Sequence, residues 1–438
     1  MEPYKSEDEL PEADFHIKHK ESPYRVHSIG IGGSVGSSPS VINDLVVFGC
    51  NDTYVYALDK YGSKVWDFKT NDLIVSSPTC YRDFILVGSA DKSLYSLSSD
   101  GELRWKFLTG GKVWSTPAVA DGVVYFGSNN GIFYALSLED GKELWRFHSG
   151  SGFLSWSPAL VNNSIIFGNT SRCIFCISDD GRLLWKFYAG THNAQTPLVI
   201  DKRNNEISSF RNRSFRRFPK GEGTKILMGS GDGYFRCLDK ENGNLLWKIF
   251  TNVMGGSCPT ILDEIVYFGS YDGRIYAVNT DGTVEWKFQT NNKIISSPIC
   301  NDNIVYFGSS DNNLYALKTK NGQLMWRFLT EGEVMSSPMI HDGVIYFGCW
   351  DGHLYAVSVD DETLLWKFRT AIPCPSFIPK PMMVSEEKST KQNMEFVPTQ
   401  TIKGYAVKSS NYSPITGELT GAFYGTPVKY KPKSAYDR

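Results

Sequence analysis

The residues of this chain best suited to chemistry fall in one arc of its sequence. Trp114, Phe153, Trp156, His192, Asn193 and Gln195 combine large rings, amides and an imidazole. Such a set can stack on a flat group and hydrogen-bond a small polar ligand. Filling the mouth of a channel is the plainer use of the same side chains. A second set is Asp52, Asp91, Asp232, Asp272, Asp311 and Asp351, which recur at equivalent points along the chain. Their carboxylates can ring a cation, or they can do no more than form turns, a common job for Asp near Gly. Cys173 and Cys176 make a CxxC, but positions i and i+3 of a strand face opposite sides, so no metal site is expected there. HExxH, P-loop and Gly-x-Ser-x-Gly patterns are absent, and the seven histidines have no ligand spacing. No catalytic residue and no metal site is assigned.

The elements that must position these residues are set by a repeat. Trp66, Trp105, Trp145, Trp185, Trp247, Trp286, Trp326 and Trp366 each stand in a variant of Leu-Trp-Lys-Phe, spaced 39, 40, 40, 62, 39, 40 and 40 residues apart. Within the sixth unit, Ser257 to Thr290, a turn at Asp263-Glu264 precedes the strand-type run Ile265–Gly269. Asp272-Gly273 is a hairpin signal, and further strands follow at Arg274–Val278 and Val284–Phe288. Four short strands per unit at a period near 40 predict an all-β, eight-bladed β-propeller of four-stranded antiparallel blades. First strands line the central channel of such a fold. Six units open on Ser before Ser/Thr/Cys-Pro, and the fourth and fifth carry Trp156 and Gln195 instead. Residues 24–29 read as a degenerate extra copy of the last strand, with His27 in the place of Trp. They are expected to pair with the last blade or lie against its edge, which would cover an exposed strand.

Three stretches depart from the repeat, so the propeller is assigned to residues 24–370 with extended N- and C-terminal arms. Residues 1–23 form a polar, acidic arm. An insertion over about 201–224, in blade five, interleaves Arg211, Arg213, Arg216 and Arg217 with Phe210, Phe215 and Phe218. It reads as a solvated loop or a dock for an acidic protein surface, and as a weaker match to nucleic acid. Residues 371–438 are rich in Pro, Lys and Tyr, with nine basic and five acidic side chains, a net +4. Phe423, Tyr424 and Tyr430 are its candidate anchors for a partner. The whole chain of 438 residues has a formal charge of −2, which excludes a global pull toward nucleic acid or acidic membrane. No apolar run is long enough to span a bilayer, and the first residues carry no apolar stretch of signal type. Nine scattered cysteines suit a reducing compartment, so a cytoplasmic or similar location is expected.

The unit Phe-Gly-Ser-x-Asp-Gly-x-Leu-Tyr-Ala-Leu followed by Gly-x-x-x-Trp-Lys-Phe resembles the repeat of quinoprotein (PQQ-like) β-propellers. Good copies run over Phe126–Phe147, Phe268–Phe288, Phe307–Phe328 and Phe347–Phe368. The resemblance implies either pyrroloquinoline quinone and calcium, as in the dehydrogenases of that family, or a docking scaffold, as in its non-catalytic members. This chain lacks the adjacent Cys-Cys pair that the alcohol-dehydrogenase branch carries. The reading favoured is therefore a non-enzymatic protein-interaction scaffold without cofactor, whose arms and basic loop contact partner proteins in a larger assembly. The alternative is a quinone- or small-ligand-binding protein, including a PQQ-dependent oxidoreductase.

Overall fold

The structure is a computed structural model. It describes residues 25–28 and 33–370, except 151, 162, 190–197, 202–205, 209–223 and 252–256. The described residues form eight sheets, each built on four antiparallel strands from one stretch of chain. Blade six shows the plan, with strands Thr260–Leu262, Ile265–Gly269, Arg274–Asn279 and Val284–Gln289 from the axis outward. The middle strands are apolar runs buried on both faces, as blade stacking requires. The outer strand alternates exposed and half-buried positions, because one of its faces meets solvent. The proline of each opening triplet falls one residue before the inner strand, so it costs the ladder no donor.

The core lies between blades. Val47, Val55 and Ala57 of blade one pack on Ile85, Val87 and Leu97 of blade two, with Trp66 and Phe68 closing the cluster. The same clustering joins blade eight to blade one through Tyr346, Leu354 and Phe368 against Val46, Phe48 and Tyr56. Consecutive inner strands are tied near the axis, where Ser40 Oγ donates to Pro78 O and Thr79 Oγ1 to Pro117 O. One backbone-to-serine bond repeats around the ring. Ser38 N donates to Ser77 Oγ at 2.9 Å, Ser297 N to Ser337 Oγ at 2.9 Å, and Ser337 N to Ser38 Oγ at 3.0 Å, which closes the circle.

The repeated tryptophans are seam residues. Trp286 Nε1 donates to Thr319 O of the next blade at 2.8 Å, and its ring lies on Gly322. Trp66, Trp105, Trp145, Trp185, Trp247 and Trp366 make the equivalent bond, the last to Lys60 O at 2.9 Å across the closing seam. Trp326 faces the one turn where Glu362, at φ 55°, replaces the glycine.

One expectation about strands is met and one is corrected. Residues Arg25–Ser28 do pair with the last blade, in parallel with Leu364–Arg369, so that Arg25 lies opposite Trp366. The insertion in blade five is not all loop. Its Glu206–Ser208 folds back antiparallel on Leu198–Asp201 and adds a fifth strand at the inner edge of that blade. Backbone donors left at the end of a short inner strand find partners in this way, which overrides the polar composition of the segment. The arm 1–23 and the tail 371–438 lie outside the described residues.

Candidate functional site

The recurring aspartates stand in the turns between second and third strands. Asp272 Oδ1 accepts from Arg274 N at 3.0 Å, and its Oδ2 accepts from the Tyr276 hydroxyl at 2.6 Å. Asp52, Asp311 and Asp351 repeat both bonds, with Tyr56, Tyr315 and Tyr355 as hydroxyl donors. Asp91 bonds Tyr95 likewise. In blade five, Arg236 takes the place of Tyr and pairs with Asp232. In blade three, Asn130 Nδ2 donates to Tyr134 Oη at 2.9 Å, and in blade four Ser171 and Phe175 stand at the two positions. Asp stands with Tyr in five blades, and the other three carry different pairs. Burial pushes the Asp351 carboxyl up, yet hydrogen bonds from His353 and Tyr355 outweigh it and hold the group below the usual carboxylate range. The Tyr276 hydroxyl is pushed up to about 12, first by burial and then by Asp272. These carboxylates are spent on their own turns, not gathered around a common centre.

The same face of the ring carries the aromatic candidates. Among the described residues, the loops entering six of the blades meet their second turns there, as Asn129 N donates to Lys112 O and Trp350 N to Glu333 O. Trp114 sits in the loop into blade three, and Trp156 in the loop into blade four, three residues before the inner strand Ala159–Val161. Trp156 stands where other blades have a serine clamp. Ser115, for example, donates from Oγ to Gly127 O at 2.8 Å and accepts from Gly127 N at 2.9 Å. An indole cannot make that pair. Trp114 Nε1 and Trp156 Nε1 are both buried without a hydrogen-bond partner, an unusual state for an indole N–H. Phe153, three residues before Trp156, is 46% exposed. His192, Asn193 and Gln195 lie outside the described residues.

Reading from the sequence missed other groups on this face. Asn51 Oδ1, Ser310 Oγ and Glu333 Oε2 are also buried and unpartnered. Trp350 occupies the repeat position held elsewhere by Asn51, Ala90, Asn129, Thr170, Gly231, Tyr271 and Ser310. That position varies most among otherwise regular turns, and such variation was the available signal.

The rim presents a second feature. On the outer strands of consecutive blades, Leu183, Leu184 and Tyr188 of blade four and Leu245, Leu246 and Phe250 of blade five are 41–65% exposed. A groove beside Phe250 runs between the outer strands of blades five and six, lined by Arg274, Val284, Trp286 and Lys287. The proposed basic contacts Arg211, Arg213, Arg216 and Arg217 and the tail anchors Phe423, Tyr424 and Tyr430 lie outside the described residues. Several of the described thiols are held protonated by their surroundings. Burial pushes Cys80, Cys176, Cys237 and Cys300 up to about 12. Cys173 and Cys176 belong to different packing clusters, on opposite faces of one strand.

Comparison with known proteins agrees with the propeller fold. The family model described as outer membrane protein assembly factor BamB matches residues 51–187, 134–225, 178–324 and 293–407. Among solved structures, the chain is similar to the computationally designed Ika8 protein, with 15% identity and a TM-score of 0.63 over 76% of this chain and 99% of that one. It is similar to BamB from Moraxella catarrhalis, with 17% identity and a TM-score of 0.59 over 75% and 96%. The quinohemoprotein alcohol dehydrogenase from Comamonas testosteroni gives 14% identity and a TM-score of 0.60 over 76% and 71%. At these identities the likeness is one of fold. No curated protein matches the chain in sequence.

Proposed function

Because the chain belongs to the PQQ-like propeller family described by the assembly factor BamB, we propose that it is a non-enzymatic platform for protein–protein interaction. The observation that carries this reading is the apolar rim of blades four and five. Six large side chains stand out on the outer strands of two consecutive blades, where solvent-facing positions of a strand are ordinarily polar. Contiguous exposed apolar surface marks interaction sites. The basic insertion of blade five and the tail of net charge +4 extend the same reading to an acidic partner. A reducing intracellular compartment belongs to the proposal, supported by eight described cysteines that are all free. Among the described residues no helix is long and apolar enough to cross a membrane.

The test is a paired capture experiment. Leu184→Glu with Leu246→Glu should abolish recovery of proteins that the unmodified chain retains, while the melting curve stays within about 1 °C, as for exposed sites. Equal recovery would reject the rim as the docking surface.

The second reading, a small polar ligand at the channel mouth, is favoured by the unpartnered indoles of Trp114 and Trp156. Quinone with calcium fits the described turns less well. Calcium takes six to eight oxygen ligands, and the turn carboxylates already hold their own hydroxyl, guanidinium and backbone partners. Mixing the protein with pyrroloquinoline quinone and Ca²⁺, read by absorbance and dye reduction, separates the two readings.

A further inference from the structure

On the face opposite the aromatic mouth, the seam between blades eight and one sets an imidazole beside two turn aspartates. His341 ends the inner strand Met339–His341, and Asp342 opens the turn that follows it. Asp44 stands in the corresponding turn of blade one, between Ser40–Ile42 and Leu45–Gly49. The His341 Nε2 atom is buried and has no hydrogen-bond partner. It faces an oxygen of Asp342 at 3.5 Å and one of Asp44 at 3.7 Å. Both contacts are longer than the roughly 2.7–3.2 Å of an N–H···O bond.

These lengths suit a different role. Zinc binds imidazole nitrogen at about 2.0–2.1 Å and carboxylate oxygen at about 2.0–2.2 Å, so neighbouring ligand atoms of a tetrahedron stand roughly 3.3–3.5 Å apart. All three ligand atoms lie within 4.8 Å of one another. The Asp44 and Asp342 side chains are 84% and 82% exposed, so small rotations can bring their oxygens to a common centre. Inner strands of the other blades end on Ile42, Tyr81, Ala120, Val161, Leu262 and Asn301, so the imidazole is peculiar to this seam among the described side chains.

We propose that His341, Asp44 and Asp342 form a site for a divalent transition cation of the zinc class, with water in the remaining position. Such an ion would be bound by the two blades that hold the two ends of the ring. It would therefore act as a cross-link at the one seam where no loop carries the chain from blade to blade.

The experiment uses the full chain, stripped of metal by chelation and titrated with Zn²⁺ by calorimetry and with Co²⁺ by visible absorbance. One equivalent should bind, Co²⁺ should give the intense bands of tetrahedral coordination, and Zn²⁺ should raise Tm. His341→Ala should weaken binding at least about 100-fold, since even the loss of an outer partner costs 10–100-fold. Asp44→Asn, which keeps the turn residue's size, should also weaken it and abolish the rise in Tm. Each variant should melt at the unmodified temperature when metal-free. Absence of saturable binding in the unmodified protein would overturn the site. So would binding unchanged in both variants, which would assign the metal to histidines elsewhere in the chain.

Discussion

At the scale of residues, the seam between blades depends on an indole resting on a bare turn. Gly322 has φ +69°, and a Cβ there would stand 2.5 Å from the Trp286 ring. Trp286→Ala should cost about 3–5 kcal/mol, as large aromatic truncations do. Gly322→Ala should also destabilise, through both the backbone conformation and the clash. Combining them should cost less than the sum, because removing the ring removes the clash. Urea denaturation of the four proteins measures this, and strict additivity would contradict the stacking. Asp351 makes a pH-dependent contribution of definite sign. Its folded carboxyl titrates below the unfolded value near 3.9, so its stabilisation is full above that value and is lost as pH falls through the folded one. Asp351→Asn should flatten the acid limb of the stability–pH curve below about pH 4. A limb of unchanged slope would show that the His353 and Tyr355 bonds do not favour the charged form.

At the scale of elements, the four-strand grammar was legible because each strand type has its own composition. Ile265–Gly269 is apolar throughout and Val284–Gln289 alternates, and both appear as read. Alternation could not reveal which outward positions are apolar in excess. Leu184 and Leu246 look like ordinary strand residues until their neighbours are known. Nor could composition assign direction to residues 25–28, since a copy of an outer strand can in principle pair either way. Deleting residues 1–28 removes a strand from an edge, not a link in the ring. The deletion should leave the circular dichroism of the propeller intact and lower Tm by a few degrees at most, on the order of 1–2 kcal/mol. Loss of the β signal would mean that the parallel strand is integral to blade eight. The hairpin at Glu206–Ser208 was hidden by the charged residues around it.

At the scale of the whole molecule, the blade number could be counted from the tryptophans, but what the closure brings together could not. Asp44 and His341 belong to the first and last blades, and only a ring makes them neighbours. The closing seam has another property. Thr70 Oγ1 donates to Asp72 O, and Thr330 Oγ1 to Gly332 O, each two residues ahead along an unbroken loop. Thr370 Oγ1 donates at 2.6 Å to Gly33 O, which stands where the second residue ahead would be if the chain continued. The two ends therefore imitate a loop that lacks one residue. A circular permutant joining Thr370 to Gly33 through a single Asn, and opened between Thr290 and Ser296, should fold to the same eight blades with a similar Tm. Which seam carries the break in the chain is then a matter of connectivity and not of folding.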